Sequence, residues 1–171
     1  MKKVLIAVDE GKTSESIWSV FDNLVRPPEE VILLYVERLE GMSLMIDMLG
    51  EAELATLRES LAGTEYKERL DRRAEKVLTY YKKKFEHGGL ITVKTVLREG
   101  VPSQEIAKVA EEEGADLVIV GWDGNKGLNR LICGCLSKDV ERGSTVPVIV
   151  ARENGEKEAR DSAPAPILRT T

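Results

Sequence analysis

The sequence of 171 residues has a single histidine, His87, and only two cysteines, Cys133 and Cys135. A Ser–His–Asp hydrolase is not expected, because this one histidine cannot be placed beside a candidate nucleophile. A structural zinc site needs four ligands, and His87 lies in a different segment from the cysteines. A disulfide between residues so close in sequence would strain its loop, so both thiols are predicted to be reduced, as is usual in the cytoplasm.

Long hydrophobic runs are also absent from the sequence. The longest, VILLYV at 31–36, is far shorter than the roughly 18 residues of a membrane-spanning helix. VLIAV at 4–8 follows two lysines, but it is shorter than the apolar stretch of about 7 residues that a signal peptide requires. We therefore expect a cytoplasmic protein that neither spans a membrane nor is exported.

The sequence has no excess of basic residues. It carries 25 Lys and Arg against 30 Asp and Glu, which gives a net charge of −5. Because a nucleic-acid backbone is normally bound by a basic surface, nucleic acid is not an expected partner. Neither the GxxxxGK[ST] loop nor the GxGxxG motif occurs, so two common phosphate-binding signatures are excluded.

Short apolar runs alternate with helical patterns along the chain. Such alternation predicts an α/β fold, an open doubly wound parallel sheet with helices on both faces. Five runs rich in Val and Ile are predicted as strands, at 4–8, 31–36, 91–97, 117–121 and 146–151.

Helices are predicted where apolar residues recur every three or four positions. One ends before Pro27, a second covers about 64–87, a third runs from near Ser103 to Gly114, and a short one follows Gly134. The second is expected to bury a stripe of six residues: Tyr66, Leu70, Ala74, Val77, Tyr81 and Phe85.

Two segments fall outside this alternation. Residues 38–62 are rich in Met and Leu and are predicted to form one or two helical turns over a sheet end, either as ordinary packing or as a partner surface. The last residues have no periodicity and similar numbers of acidic and basic side chains, which is typical of a solvated tail. The predicted organisation is a single α/β domain over 1–152 and a polar tail over 153–171.

Glycines cluster after the fourth predicted strand, with the spacing Gly121-x2-Gly124-x9-Gly134 and Ser137 beyond them. Glycine lets the backbone approach an anion and aim its N–H groups at it, and a helix opening after Gly134 would add the positive end of its dipole. The spacing alone is weak support, because short glycine motifs often occur by chance. Its position between a strand and a helix makes it a candidate phosphate site.

These residues resemble the nucleotide-binding motif of the universal stress protein family. The similarity runs from VLIAVD (4–9) through EEVILLYV (29–36) and EGVPSQEIAKVAEEEGADLVIVG (99–121) to VPVIVAR (146–152). The resemblance implies a Rossmann-like five-stranded parallel sheet in the order 3-2-1-4-5. It also implies a homodimer through the last strand, where Pro147 suits an edge position, and bound ATP, AMP or ADP, with any Mg²⁺ carried by the nucleotide.

The family's nucleotide contacts transfer to matching positions of this sequence. The resemblance implies that Ala7 and Val8 line the adenine pocket, that Asp9 accepts a hydrogen bond from the ribose, and that Val36 offers its backbone to the adenine edge. Gly121 is then expected beside the ribose. The residues expected around the phosphates are Gly124, Gly134, Cys135, Leu136 and Ser137.

One residue departs from the family pattern. Cys135 stands where the family has Ser or Thr after its third glycine, and a thiol is a weaker hydrogen-bond donor than a hydroxyl. The loss of one such bond costs about 0.5–1.5 kcal/mol, or roughly threefold to tenfold in affinity. Two residues also have purely structural interpretations, since Asp9 and Ser137 could each cap a helix.

The resemblance implies a nucleotide-dependent regulatory or stress-response module. No general base stands out near the glycines, so a fast enzyme is not expected. Two other hypotheses stay open. In one, the fold is retained without nucleotide binding and the protein acts as a dimeric interaction module. In the other, it hydrolyses adenine nucleotides slowly.

Overall fold

The computed structural model describes residues 1–10, 14–24, 26–37, 50–86, 91–121 and 136–152. Helices and strands alternate along them. In chain order the elements are β1 (Lys3–Val8), α1 (Ser14–Leu24), β2 (Glu30–Glu37), α2 (Glu51–Leu61), α3 (Glu65–Glu86), β3 (Thr92–Glu99), α4 (Pro102–Glu112), β4 (Leu117–Gly121), α5 (Leu136–Gly143) and β5 (Val148–Ala151).

The five strands form one parallel sheet in the order β3-β2-β1-β4-β5. The predicted fold class, strand order and doubly wound arrangement are therefore confirmed. Helices α1 and α3 pack on one face of the sheet, whereas α4 and α5 pack on the other. Side chains of a strand alternate between faces, so Ile6 enters the α1/α3 core and Leu5 enters the α4/α5 core. Burial on both faces explains the unbroken apolar runs.

Helix α3 follows the predicted limits closely but buries a slightly different stripe. Its buried residues are Leu70, Ala74, Leu78, Tyr81 and Phe85. Leu78 replaces Val77 at the centre of the stripe, and Val77 and Tyr66 are only half-buried. Leu78 was missed because Val77 also continues the three- and four-residue spacing, and only the position of the sheet decides between neighbouring residues.

The segment at 38–62 contains more helix than predicted. Helix α2 has eleven residues, about three turns instead of one or two, while residues 38–49 lie outside the described part of the chain. Its sequence, EAELATLRESL, consists mostly of strong helix formers. Leu54, Leu57 and Leu61 recur at helical spacing within it, so the prediction of one or two turns was too short.

Strand β5 begins one residue after Pro147 instead of including it. The Pro147 carbonyl accepts a hydrogen bond from the Val118 N–H at 3.0 Å, but proline has no N–H to continue the ladder. The predicted strand over 146–151 was therefore too long at its start. Within the described residues, no helix combines the length and apolar character needed to cross a membrane.

The backbone conformation at the end of α4 explains why residue 114 is a glycine. This residue has φ 62°, in the left-handed region that glycine adopts without steric cost. The Ala115 N–H donates to the Ala110 carbonyl at 2.9 Å and the Gly114 N–H to the Glu111 carbonyl at 3.1 Å. These two bonds form a Schellman motif, which ends the helix and directs the chain into β4.

Replacing Gly114 by Ala should lower the free energy of unfolding by about 1 kcal/mol, because an L-residue is strained at positive φ. A Cβ at this position would meet no atom within 4 Å, so the cost comes from the backbone alone. The matched control is Gly143→Ala at the last residue of α5, where the Cβ would make an ordinary 3.7 Å contact with Ala107 of α4. Urea denaturation should show the control unchanged or slightly more stable, and equal stability of both variants would contradict this account.

Candidate functional site

The carboxyl ends of β1 and β4 form the point at which the strand order reverses. The chain leaves β1 for α1 on one face of the sheet, and α5, which precedes β5, lies on the other face. In this geometry the loops separate and leave a crevice between the strand ends. Ala7 is paired with Val120, so Val8 and Gly121 end their strands side by side. Two predicted site residues thus meet at the reversal point.

Three further predicted residues provide apolar surface on one face of the sheet. Ala7 is the penultimate residue of β1, Val36 the penultimate residue of β2, and Leu136 the first residue of α5. All three are only partly buried, and all pack against the α4/α5 core. Partly exposed apolar surface at the end of a parallel sheet suits a flat aromatic ligand.

Val8 differs from these residues in the direction of its side chain. It is 5% exposed and belongs to the α1/α3 core, on the opposite face from Ala7. Only its backbone is therefore left to contact a ligand on the α4/α5 side. Tyr35, which is paired with Val8, also packs against the α1/α3 core.

Carboxylates surround the ends of β1 and β2. Burial raises the pKa of Tyr35 to about 12, with Glu10, Glu37 and Asp9 adding to the rise and Arg73 opposing it. Asp9 itself follows β1 and is exposed. This negative field disfavours a phosphate beside β2 but is compatible with ribose hydroxyls, which can donate to a carboxylate.

The remaining predicted contacts lie at the start of α5 and before it. Ser137, the second residue of α5, is 7% exposed. The N–H groups of the first helical turn have no partner within the helix, so they are available to an anion or a cap. Gly124, Gly134 and Cys135 lie outside the described residues, as do Cys133 and His87. Their roles stay predictions.

A group of charged residues that the sequence analysis missed lies at the ends of β2 and β3. Lys67 of α3 donates to Glu37 at 2.5 Å and to Asp71 at 2.8 Å, and it forms an ion pair with Glu99. Glu37 is the last residue of β2 and Glu99 the last of β3. Lys67 therefore ties the first turn of α3 to two neighbouring strand ends, one of which follows Val36 directly.

The central pair of the Lys67 network, Lys67 and Glu37, is largely removed from solvent. The side chain of Glu37 is 2% exposed and that of Lys67 18%. Burial raises the pKa of Glu37 above its ordinary value, and the hydrogen bond and charge of Lys67 oppose this rise. Burial would lower the pKa of Lys67, but its bonds to Asp71, Glu37 and Glu99 together raise it. Lys67 therefore stays charged at neutral pH.

A signal for this network was present in the sequence. Two apolar runs are followed within two residues by a glutamate, Glu37 and Glu99, at positions that the predicted strand limits left just outside. Adjacent parallel strands bring such carboxylates to the same edge, where a cation is needed. The identity of that cation depends on how α3 crosses the sheet, which the sequence does not specify. Among the described residues, no group of three or more Asp, Glu, His or Cys is arranged to hold a metal ion.

Replacing Lys67 by Met should destabilise the fold by about 3 kcal/mol at pH 7, because Glu37 would be buried without its cation. The change removes the main influences that lower the pKa of Glu37, so that pKa rises further. A buried acid with a raised pKa holds its proton more tightly in the folded state, so the deficit should shrink as pH falls through the folded-state pKa.

Chemical denaturation of both proteins between pH 4.5 and 8 measures this difference. Lys82→Met is the matched control, since Lys82 pairs with Glu86 at 3.8 Å on the exposed face of the same helix. Its effect should stay within about 0.5 kcal/mol. A Lys67→Met protein as stable as this control at pH 7 would mean that the network contributes nothing to the fold.

Comparison with known proteins agrees with this architecture. The model of the universal stress protein family matches residues 1–152. Universal stress protein MJ0577 of Methanocaldococcus jannaschii is 32% identical over an alignment of 155 residues that covers 88% of this chain and 94% of that protein. Its structure superimposes with a TM-score of 0.64 at 29% identity and covers 90% of this chain and 97% of the other.

Two more distant structures have the same fold and contain nucleotides. One is a universal stress protein family protein from Arabidopsis thaliana with AMP bound, with a TM-score of 0.58 and 15% identity over 91% of this chain and 94% of that one. The other is a universal stress protein in complex with cAMP, with a TM-score of 0.56 and 13% identity over 88% and 96%. With the family model matching most of its length, this chain belongs to the universal stress protein family.

Proposed function

We propose that this protein binds an adenine nucleotide in the crevice between β1 and β4 and acts as a nucleotide-dependent regulatory module in a stress response. The observation that carries the proposal is the shared position of Ala7, Val36 and Leu136. They form partly exposed apolar surface on one face of the sheet, beside the exposed carboxylate of Asp9. The AMP and cAMP complexes of proteins with this fold support the same ligand class.

The proposed ligand orientation follows from the charges of the edge. Adenine would lie over Ala7 and the backbone of Val8 and Val36, with its ribose between Asp9 and Gly121. The triphosphate of ATP would extend towards Gly124, Gly134, Cys135, Leu136 and Ser137, away from Glu10 and Glu37. In this orientation the phosphates avoid the carboxylates and face backbone N–H groups and the start of α5. Mg²⁺ would be held by the phosphates and water.

The proposed module is a regulator because the described residues of the site supply no general base beside the phosphates. Asp9 lies at the ribose end in this orientation. The nucleotide-binding experiment described below also tests whether the protein hydrolyses ATP slowly. We also propose that the protein is cytoplasmic and that residues 1–152 form the binding unit, with 153–171 as a tail.

We further propose a homodimer through β5. This strand is an edge of the sheet, so its outer N–H and C=O groups have no strand partner among the described residues. Unpaired edges invite pairing with another strand. A second copy of β5 would satisfy these groups.

The direct test is to denature freshly purified protein and identify any released nucleotide by mass spectrometry. If none is released, calorimetric titration with ATP and AMP follows. Near-stoichiometric ATP, or binding below about 1 mM, is the expected result. An empty protein that binds neither nucleotide at that concentration would favour the alternative of a dimeric interaction module. Release of phosphate from ATP during incubation would show that the protein also hydrolyses the nucleotide slowly.

Two substitutions test the proposed contacts. Asp9→Ala should weaken ATP binding about tenfold or more, because it removes a charged acceptor from the ribose. The same substitution should weaken binding much less when the nucleotide lacks the ribose hydroxyl that Asp9 contacts. Cys135→Ser should tighten ATP binding by about threefold to tenfold, because it restores a good donor. If wild-type protein binds ATP and both variants bind it with the same affinity, the nucleotide binds at a different place on the protein.

A further inference from the structure

Strand β3 forms an edge of the sheet. It is paired with β2 along its whole length, and no strand pairs with its other side among the described residues. The N–H groups of Thr92 and Gly100 donate towards β2. Because backbone groups alternate in direction along a strand, the N–H and C=O groups of Val93, Thr95 and Leu97 point away from β2. These groups can accept a further strand.

The usual devices that block an unpaired edge are missing from β3. Natural sheets use prolines, bulges or charged side chains that stand over the edge. β3 has no proline, and its continuous pairing with β2 contains no bulge. Its cations are drawn to the end of α4, where Lys94 donates to Glu113 at 2.7 Å and Arg98 to Glu112 at 2.6 Å. The edge is therefore regular and unblocked.

A groove of about 580 Å³ lies beside the end of this edge. Leu97, Arg98 and Glu99 of β3 line it together with the start of α3 and one side of α4, and we refer to it as the β3 groove. Leu97 is 39% exposed, one of the few large hydrophobic residues at the surface of the described chain. A groove of this volume that joins exposed apolar surface to a free strand edge suits an extended peptide.

The sequence that follows β5 contains a segment with matching properties. Residues 167–171 read ILRTT, mostly residue types that are favoured in strands. Arg169 is the only charged side chain of this segment, and the β3 groove has four acidic and three basic side chains, so the charges are complementary. The preceding APAP at 163–166 favours an extended chain, which lowers the entropy lost on docking.

This segment can reach the β3 groove from β5. The register of the four strand pairs places Ala151 of β5 and Leu97 of β3 in the same row across the sheet. They are separated by four strand spacings, or about 19 Å. Residues 153–162 can span up to about 33 Å when extended, so they are long enough to bridge this distance.

We propose that residues 163–171 dock in the β3 groove of their own chain and add a sixth strand to the sheet. A chain that crosses from the end of β5 enters at the end of β3, so it runs antiparallel to β3. With Leu168 opposite Leu97, Thr170 lies opposite Thr95, and both pairs exchange backbone hydrogen bonds. The Leu and Thr side chains then meet in like pairs on the α3 side of the sheet.

Two arguments favour this occupant over another strand. The segment belongs to the same chain, so its effective concentration at the β3 groove is of millimolar order, which a strand of another protein must match. A second copy paired through β3, added to the proposed dimer through β5, would produce an open-ended chain of subunits. A covered β3 edge prevents this growth.

Hydrogen–deuterium exchange tests the proposal by comparing the whole chain with a protein that ends at Ser162. Mass spectrometry with fragmentation to single residues, at about 1 μM protein to limit association of freed edges, resolves the amides of β3. The Thr95 and Leu97 amides should exchange about tenfold faster or more in the shortened protein, because they lose their hydrogen bonds. The Val96 and Arg98 amides, which point towards β2, are the internal standard and should be unchanged.

Two results of this comparison would overturn the proposal. One is equal exchange of Thr95 and Leu97 in the two proteins. The other is protection in the whole chain that is present at about 50 μM but absent at about 1 μM, because the added strand would then come from a second copy.

A matched pair of proline variants locates the docked residues. Leu168→Pro should expose the Thr95 and Leu97 amides as the truncation does, because proline cannot donate to β3 and the apolar contact is lost. Ala159→Pro, in the connecting stretch, should leave both amides protected. Both changes lie outside residues 1–152, and circular dichroism checks that the domain is folded. If the two variants behave alike, the proposal is wrong.

Discussion

The burial of β1 on both faces is the constraint on which the rest of the structure depends. β1 is hydrogen-bonded to β2 on one side and to β4 on the other, and its side chains alternate between two separate cores. Val4 and Leu5, one from each core, are both fully buried. Polar residues cannot enter this strand without losing their hydrogen bonds to water. After Lys3 at the start of β1, the next polar side chain is therefore found where β1 ends, at Asp9, in the centre of the sheet edge.

The same alternation divides the edge of the sheet into two chemical environments. On the α4/α5 side, Ala7 and Val36 leave partly exposed apolar surface. On the α1/α3 side, Tyr35 lies among carboxylates, and Lys67 neutralises part of their charge. An uncharged base fits the first environment and a phosphate fits neither. This division explains why the proposed phosphate site lies farther along, at the start of α5.

Helix α3 links these features because each of its sides has a different contact. Its inner side fills the α1/α3 core with Leu78 and Phe85, and Lys67 fastens its start to β2 and β3.

The sequence alone determined the fold class and the centre of the candidate site. Continuous apolar runs can be satisfied only by strands buried on both faces, and the alternation with helices leaves a parallel sheet as the solution. The strand order and the reversal point between Val8 and Gly121 followed from the family resemblance and are confirmed. The start of α5 also follows the predicted limit closely, because Gly134 gave a clear signal before it.

Only the tertiary structure decided the contacts that depend on which elements meet. That Leu78 rather than Val77 is buried depends on the angle at which α3 lies on the sheet. Lys67 is one of many basic residues on its helix, and nothing local distinguishes it until two strands bring Glu37 and Glu99 to its ammonium group. The side chain of Val8 likewise enters the α1/α3 core, on the opposite face from Ala7, which the apolar run alone did not show. Periodicity determines which residues share a face, whereas long-range packing determines what that face meets.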